Sequence, residues 1–330
     1  MRAAYVEEFG PAEAIRYDVL PDPEAAAGQV LVRVEAVAVD AVDTFVRSGR
    51  WRTPVSFPLV VGRDLVGTVV DLGAGVSGFR PGERVWTNSA GYGGRPGATA
   101  ELVPVEHDRL YPLPADADPV PFVAALHPGA TAHGIVSGRA RVRPGETVAV
   151  IGANGAAGMC LVQVAAAYGA RVLAVVRDER AADPLRSLGA ADVVVAEAED
   201  APRRAATAGP DGIDVLVDTT GHVDVAAAFE SLEARGRVVL VAGRGTVELD
   251  VWRFYTRETQ LLGFVMSAMT VSELAAAAEW INVRHAQRPL EVSVGEVLGF
   301  ADTVRAHAMV ESGRTPRMHD GTRGRLVLRP

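Results

Sequence analysis

Residues 147–180 read TVAVIGANGAAGMCLVQVAAAYGARVLAVVRDER. An apolar run, a knot of glycines, an amphipathic segment and a second apolar run follow in that order. This is the pattern of a buried strand that turns sharply into a helix and returns as a second strand. Gly152, Gly155 and Gly158 stand in the turn at GxxGxxG spacing. The first permits a tight turn, the middle one lets backbone approach a pyrophosphate, and the last lets helix pack on strand. The helix N-terminus then offers free N–H groups and partial positive charge to phosphates. A βα turn without any ligand can use the same spacing, so the surrounding pattern has to decide.

That pattern continues. Strands are predicted at 147–151, 171–176, 192–195, 213–217, 237–242 and 260–265, with helical periodicity between them. VDVAAAFESLEARG (223–236), ending on a glycine, and TVSELAAAAEWINVR (270–284) are two such helices. Strict alternation of strand and helix means a parallel sheet covered on both faces. Up to about residue 118 the texture differs. QVLVRVEAVAVD (29–40), LVVGRDLVGTVVDLG (59–73) and ERVWT (83–87) are short strands between glycine and proline turns, as in a barrel-like or folded sheet. LPADADPVPFVAALHPGATAHGIV (113–136) turns helical, and GRLVLRP (324–330) is a further short strand.

The second strand of the glycine unit ends without an acid. In NAD-preferring proteins an Asp or Glu about 20 residues after the glycines binds the ribose 2′-hydroxyl. Here that position is Val176, followed by Arg177 and soon by Arg180. An arginine grips a 2′-phosphate through charge-assisted bonds, where a carboxylate would repel it. The expected coenzyme is therefore NADPH, the alternative being that Arg177 is a solvated loop charge.

Composition narrows the chemistry. All 33 basic residues are arginine, so no lysine can serve as base, Schiff-base former or proton relay. A single cysteine, Cys160, excludes an internal disulfide and a cysteine-rich zinc cluster. The net charge of −8 argues against nonspecific nucleic-acid binding. No apolar run reaches bilayer length and no signal-peptide core opens the chain, which makes the cytosol the expected compartment.

With VDTFVRSGRW (42–51), VVGRDLVGTVVDLGAGVSGFRPGERVW (60–86), LHPGATAHGIV (126–136), VRPGETVAVIGANGAAG (142–158), LGAADVV (188–194), GRVVLVAG (236–243) and GRLVL in view, the chain resembles the medium-chain dehydrogenase/reductase superfamily. More narrowly, it is similar to the zinc-independent quinone oxidoreductase branch that includes ζ-crystallin. The resemblance implies an α/β fold: a GroES-like β-rich catalytic domain over 1–118, a Rossmann doubly wound parallel-sheet domain over 119–267, and a segment, 268–330, returning to the first. It places substrate and nicotinamide between the two domains. Pattern alone puts the start of the second domain later, near 147. The resemblance also implies a homodimer through an edge strand within TQLLGFVMS (259–267).

For the coenzyme, the motif and the resemblance together point to Thr131, Gly152, Ala153, Asn154, Gly155, Ala156, Ala157, Gly158, Arg177, Arg180, Thr220, Gly221, Ala242, Gly243, Arg244, Phe264 and Val265. The three positions where zinc-dependent members carry catalytic ligands fall on Asp40, Arg63 and His127. Arginine cannot ligate a cation, so no metal is expected. Asp40 and Arg63 either pair and fill the vacant position or face water independently.

Without zinc or a tyrosine–lysine pair, charge on a plain ketone oxygen has no obvious stabiliser. A quinone or α,β-unsaturated carbonyl spreads that charge, and hydrogen-bond donors then suffice. The candidate catalytic residues are Asp40, Arg63, Tyr92 and His127, with Trp51 and His133 as further donors. His127 is either a proton donor or a hydrogen-bonded wall residue, and Tyr92 either borders the site or lies on a surface loop. The expected function is NADPH-dependent hydride transfer to a quinone or enone. The alternatives are an enoyl or ketone reductase of a biosynthetic pathway, and a dinucleotide-binding scaffold without turnover.

Overall fold

A computed structural model describes residues 1–209, 212–243 and 245–330. Its contacts divide the chain into two units: Met1–His127 with Thr270–Pro316 and Gly324–Pro330, and Pro128–Met269 with Arg317–Arg323. Residues 317–323 thus leave the 268–330 segment to join the second unit.

The first unit is built on the valine-rich strand Gln29–Ala38 (β1). Val32, Val34 and Val37 pack with Leu65, Leu326 and Leu328 in one apolar core. Beyond β1, Asp40 opens the short helix Ala41–Arg47 (α1), and the Asp43 carboxylate accepts the Asp40 backbone N–H at 2.8 Å. Strand Asp64–Leu72 (β2) lies antiparallel to β1, with Asp64 opposite Ala38. The C-terminal strand, Arg325–Arg329, lies on the other side of β1 and places Val327 opposite Ala38. These strands belong to a seven-stranded sheet, and a separate three-stranded sheet carries Arg2–Val6. Helix Pro119–His133 (α2) carries the chain out of the first unit.

The second unit holds six parallel strands. In chain order they are Thr147–Ile151 (β3), Arg171–Val176 (β4), Asp192–Val195 (β5), Ile213–Asp218 (β6), Leu232–Leu240 (β7) and Gln260–Gly263 (β8), and β3 leads into helix Ala156–Ala167 (α3). Their spatial order is β5-β4-β3-β6-β7-β8, so the winding reverses between β3 and β6. Every residue of β3 is buried, as a strand covered on both faces requires.

Two expectations need correction. The helix expected over 223–236 ends at Ser231, where the serine hydroxyl bonds back to the Ala227 carbonyl. Leu232 is buried and pairs with Ile213, so β7 starts at 232 and not at 237, with a register shift before Arg237. Strand β8 stops at Gly263, short of the expected 265, because Phe264 turns inward and packs against Gly134.

Candidate active site

The fold of the first unit gathers four ionisable side chains that are remote in sequence. Asp40 lies just past the end of β1, Asp64 starts β2 beside it, and the Val39 backbone N–H bonds the Leu326 carbonyl, which brings Arg325 alongside. Arg325 Nη1 meets Asp40 Oδ1 at 2.8 Å. His127, on α2, donates its backbone N–H to Asp64 Oδ2 at 2.8 Å. Its ring Nδ1 is 3.9 Å from Asp64 Oδ1. Asp40, Asp64 and His127 each bring one ligand-type atom within 4.8 Å of the other two, and Asp40 Oδ2, Asp64 Oδ1 and His127 Nδ1 are buried without a hydrogen-bond partner.

Burial and neighbouring charge set the protonation of this cluster. Burial would raise the Asp40 carboxyl, but Arg325, aided by His127 and Arg63, holds it below its ordinary value. Asp64 is pushed well above its ordinary value by burial and by the charge of Asp40. Asp43 is raised to about 7 by the same two causes. Burial lowers His127 to about 4 against the opposing pull of Asp40. At neutral pH the cluster therefore holds an ionised Asp40 and a neutral imidazole, with Asp64 shifted toward its protonated form. His127 is not an imidazolium acid there.

Asp40 forms an ion pair with Arg325, a partner the sequence did not suggest, and Arg63 also acts on its charge. Arg63 is buried with its guanidinium carbon 4.9 Å from the Tyr92 ring centroid. Tyr92 in turn meets Trp51 edge-on at 5.6 Å. Arg63, Tyr92 and Trp51 thus come together, near enough to Asp40 for Arg63 to act on its charge. His133 belongs to the second unit, with Tyr168 Oη 3.2 Å from its Nε2.

In the second unit, Gly152 closes β3 at φ 79°, and a Cβ there would sit 2.6 Å from Thr219 Oγ1. A Cβ on Gly158 would run into the Gly152 carbonyl and lie 2.6 Å from Ala153 Cα. Gly155 caps α3, and its Cβ position meets nothing closer than 3.5 Å. Two glycines serve close backbone packing; the third leaves space in front of the N–H groups of Ala156 and Ala157.

At the end of β4, a cavity of about 360 Å³ is lined by Asn154, Arg177, Asp178, Glu179, Glu197, Arg317, Gly321 and Arg323. The Asn154 side chain donates to the Gly321 carbonyl at 2.9 Å, and its own carbonyl accepts the Arg323 N–H at 3.0 Å, which ties the 317–323 segment to the glycine turn. Burial, followed by repulsion from Arg317 and Arg177, lowers the Arg323 guanidinium pKa. Arg180 is exposed, bonded to Asp178, and does not line the cavity.

The other predicted coenzyme residues follow carboxyl ends of parallel strands: Thr220 and Gly221 after β6, Ala242 and Gly243 after β7, Phe264 and Val265 after β8. Asp218 organises the first pair, accepting the Thr220 hydroxyl at 2.7 Å and the Gly221 N–H at 3.1 Å. Gly221, at φ 72°, lies against Ala242 and Gly243. Thr131 is buried on α2, and Arg244 lies outside the described residues. Sequence reasoning missed Asp64, Arg325, Arg317 and Arg323. Only Asp64, adjacent to Arg63 in the quoted GRD, carried a local signal.

Comparison with known proteins adds likenesses of three kinds. A zinc-binding dehydrogenase family model matches residues 156–282, and an alcohol dehydrogenase GroES-like domain model matches 26–115. The chain is 30% identical over 324 residues to the quinone oxidoreductase of Rattus norvegicus, covering 96% of this chain and 97% of the rat protein. It is 28% identical over 243 residues to the acryloyl-coenzyme A reductase of Metallosphaera sedula, covering 67% and 70%. A solved structure of a mycobacterial protein complexed with NADPH is 28% identical, with a TM-score of 0.84 over 100% of both chains.

Proposed function

The chain belongs to the quinone oxidoreductase branch of the medium-chain dehydrogenase/reductase superfamily, and from that premise we propose that it is an NADPH-dependent, metal-independent reductase of quinones and α,β-unsaturated carbonyls. The cavity at the end of β4 carries the coenzyme part of the reading. Arg177, Arg317 and Arg323 line one space together with Asp178, Glu179 and Glu197; Arg177 lies 3.9 Å from Glu197, while Arg317 and Arg177 act against the charge of Arg323, which an anion bound there would relieve. A 2′-phosphate supplies that charge, while the turn at Gly155 and the N-terminus of α3 suit the pyrophosphate. Thr131, Thr220, Gly221, Ala242, Gly243, Phe264 and Val265 are assigned to the remainder of the dinucleotide.

A zinc ion does not fit the Asp40 cluster. Counted as donors, Asp40, Asp64 and His127 reach the three protein ligands of a catalytic zinc site. Charge decides otherwise, because Arg325 already neutralises Asp40 and Arg63 adds a second cation acting on it. A dication and a guanidinium about 6 Å apart repel by about 5 kcal/mol at an effective dielectric of about 20.

When bound, the coenzyme supplies the hydride. The chain's own part is to stabilise the charge that the hydride brings to the substrate. Arg63 donates to the carbonyl oxygen, and Tyr92 orients it by offering its ring face. His127, neutral, offers an N–H or a lone pair and not a full positive charge. A conjugated acceptor needs no more than this, and the similarity to acryloyl-coenzyme A reductase supports an activated alkene as an acceptor beside quinones. The homodimer of this reading forms along β8, an edge strand where Leu261 is exposed, preceded by a helix exposing Trp252 at 68%.

The test is calorimetric titration with NADPH and NADH, followed by cofactor absorbance with a panel of quinones and enones. Expected are at least about tenfold tighter NADPH binding and turnover with some panel members. Equal affinities would sink the coenzyme assignment, and tight NADPH binding with no oxidation across the panel would support a scaffold. Light scattering reads the dimer.

A further inference from the structure

Counting ligands alone misreads the buried cluster of the first unit. Asp40, Asp64 and His127 bring one ligand-type atom each within 4.8 Å of one another, and Asp40 Oδ2, Asp64 Oδ1 and His127 Nδ1 are buried without a hydrogen-bond partner. Three such atoms are what a divalent cation takes as ligands. Yet Arg325 Nη1 stands 2.8 Å from the other Asp40 oxygen, its side chain only 12% exposed. Backbone register puts it there, since Val327 pairs with Ala38 and the Val39 N–H bonds the Leu326 carbonyl. A guanidinium neutralises carboxylates without ligating anything, and it keeps its charge at every pH the fold survives. Of the two guanidiniums acting on Asp40, Arg325 is the stronger and Arg63 the weaker.

We propose that Arg325 is the residue that bars divalent cations from this site, a fixed counter-charge to Asp40 whose exchange for an uncharged side chain turns Asp40, Asp64 and His127 into a metal site. The proposal rests on the metal-free reading above, but its test reads metal retention and not turnover.

The experiment dialyses wild type, Arg325→Met and Arg325→Lys against Co²⁺, then measures bound cobalt by elemental analysis and its visible ligand-field absorption. Expected is one tightly held Co²⁺ per chain in Arg325→Met, with affinity at least about a hundredfold above wild type, and none in wild type or Arg325→Lys. Should Arg325→Met unfold because Asp40 has lost its partner, Co²⁺ is expected to restore its circular dichroism, since binding free energy then becomes folding free energy. Stoichiometric cobalt in wild type would overturn both this proposal and the metal-free reading. An Arg325→Met protein that is folded yet retains none, or stays unfolded in Co²⁺, would overturn this proposal alone.

Discussion

Arg325 and Asp40, carried by neighbouring antiparallel segments of one sheet, form a 2.8 Å ion pair in the interior of the first unit. A buried pair contributes little against an apolar substitute, but breaking it strands a charge. Asp40→Leu is therefore expected to lower unfolding free energy by about 3–5 kcal/mol, with Asp40→Leu/Arg325→Leu recovering most of the loss. Urea titration of the single and double variants checks this; equal losses in both would show that the charges are not coupled.

Gly158 and Gly155 have opposite sensitivities. A methyl on Gly158 drives into the Gly152 carbonyl and Ala153, whereas one on Gly155 has room. Gly158→Ala is expected to cost about 1–3 kcal/mol of stability, as overpacking does, while Gly155→Ala leaves stability within about 0.5 kcal/mol. Gly155→Ala should instead weaken NADPH binding, because its methyl enters the space proposed for pyrophosphate. Thermal unfolding paired with coenzyme titration separates the two effects.

The arginines around the β4 cavity give the coenzyme proposal its sharpest consequence. Replacing Arg317 or Arg323 by alanine is expected to weaken NADPH binding about tenfold to a hundredfold and leave NADH nearly unchanged. Arg180→Ala, which removes an exposed guanidinium already bonded to Asp178, should change the ratio little. Dissociation constants for both coenzymes decide it.

His307 predicts an acid limb of stability. Both its ring nitrogens are buried without partners, and burial, reinforced by the Arg47 charge, lowers its pKa to about 3. The unfolded chain takes up that proton near pH 6.5 and the folded chain does not, so the contribution is complete above about 6.5 and fades as pH falls toward 3. His307→Gln should flatten the difference in unfolding free energy between pH 7 and pH 4 by roughly 3 kcal/mol. Denaturant titrations at the two pH values test it, and an unchanged difference would mean that the imidazole protonates in the fold.

What the sequence disclosed was what neighbouring residues encode. Strand, glycine turn and helix over 147–167 are determined by residues a few positions apart, and the structure reproduces them. Helix 223–236 misled because its alanines and glutamates favour helix, while Leu232 is claimed by a distant partner, Ile213. The active-site candidates divide in the same way. Arg63, Tyr92 and Trp51 do converge, but nothing near Asp40 announces Arg325, and nothing near Arg177 announces Arg317 or Arg323. Such pairings come from sheet register and chain return, which local pattern does not carry. For His127 the sequence left proton donor and hydrogen-bonded wall residue both open; burial, visible only in three dimensions, lowers its pKa to about 4.

Residues 317–323 complete the second unit and 324–329 complete the first. During synthesis, then, the second unit cannot reach its finished contacts before residue 323 is added, nor the first before residues 324–329 are. A ribosome that stalls at residue 316 leaves a nascent chain lacking Arg325 beside Asp40 and both arginines that complete the β4 cavity, its defects distributed across both units.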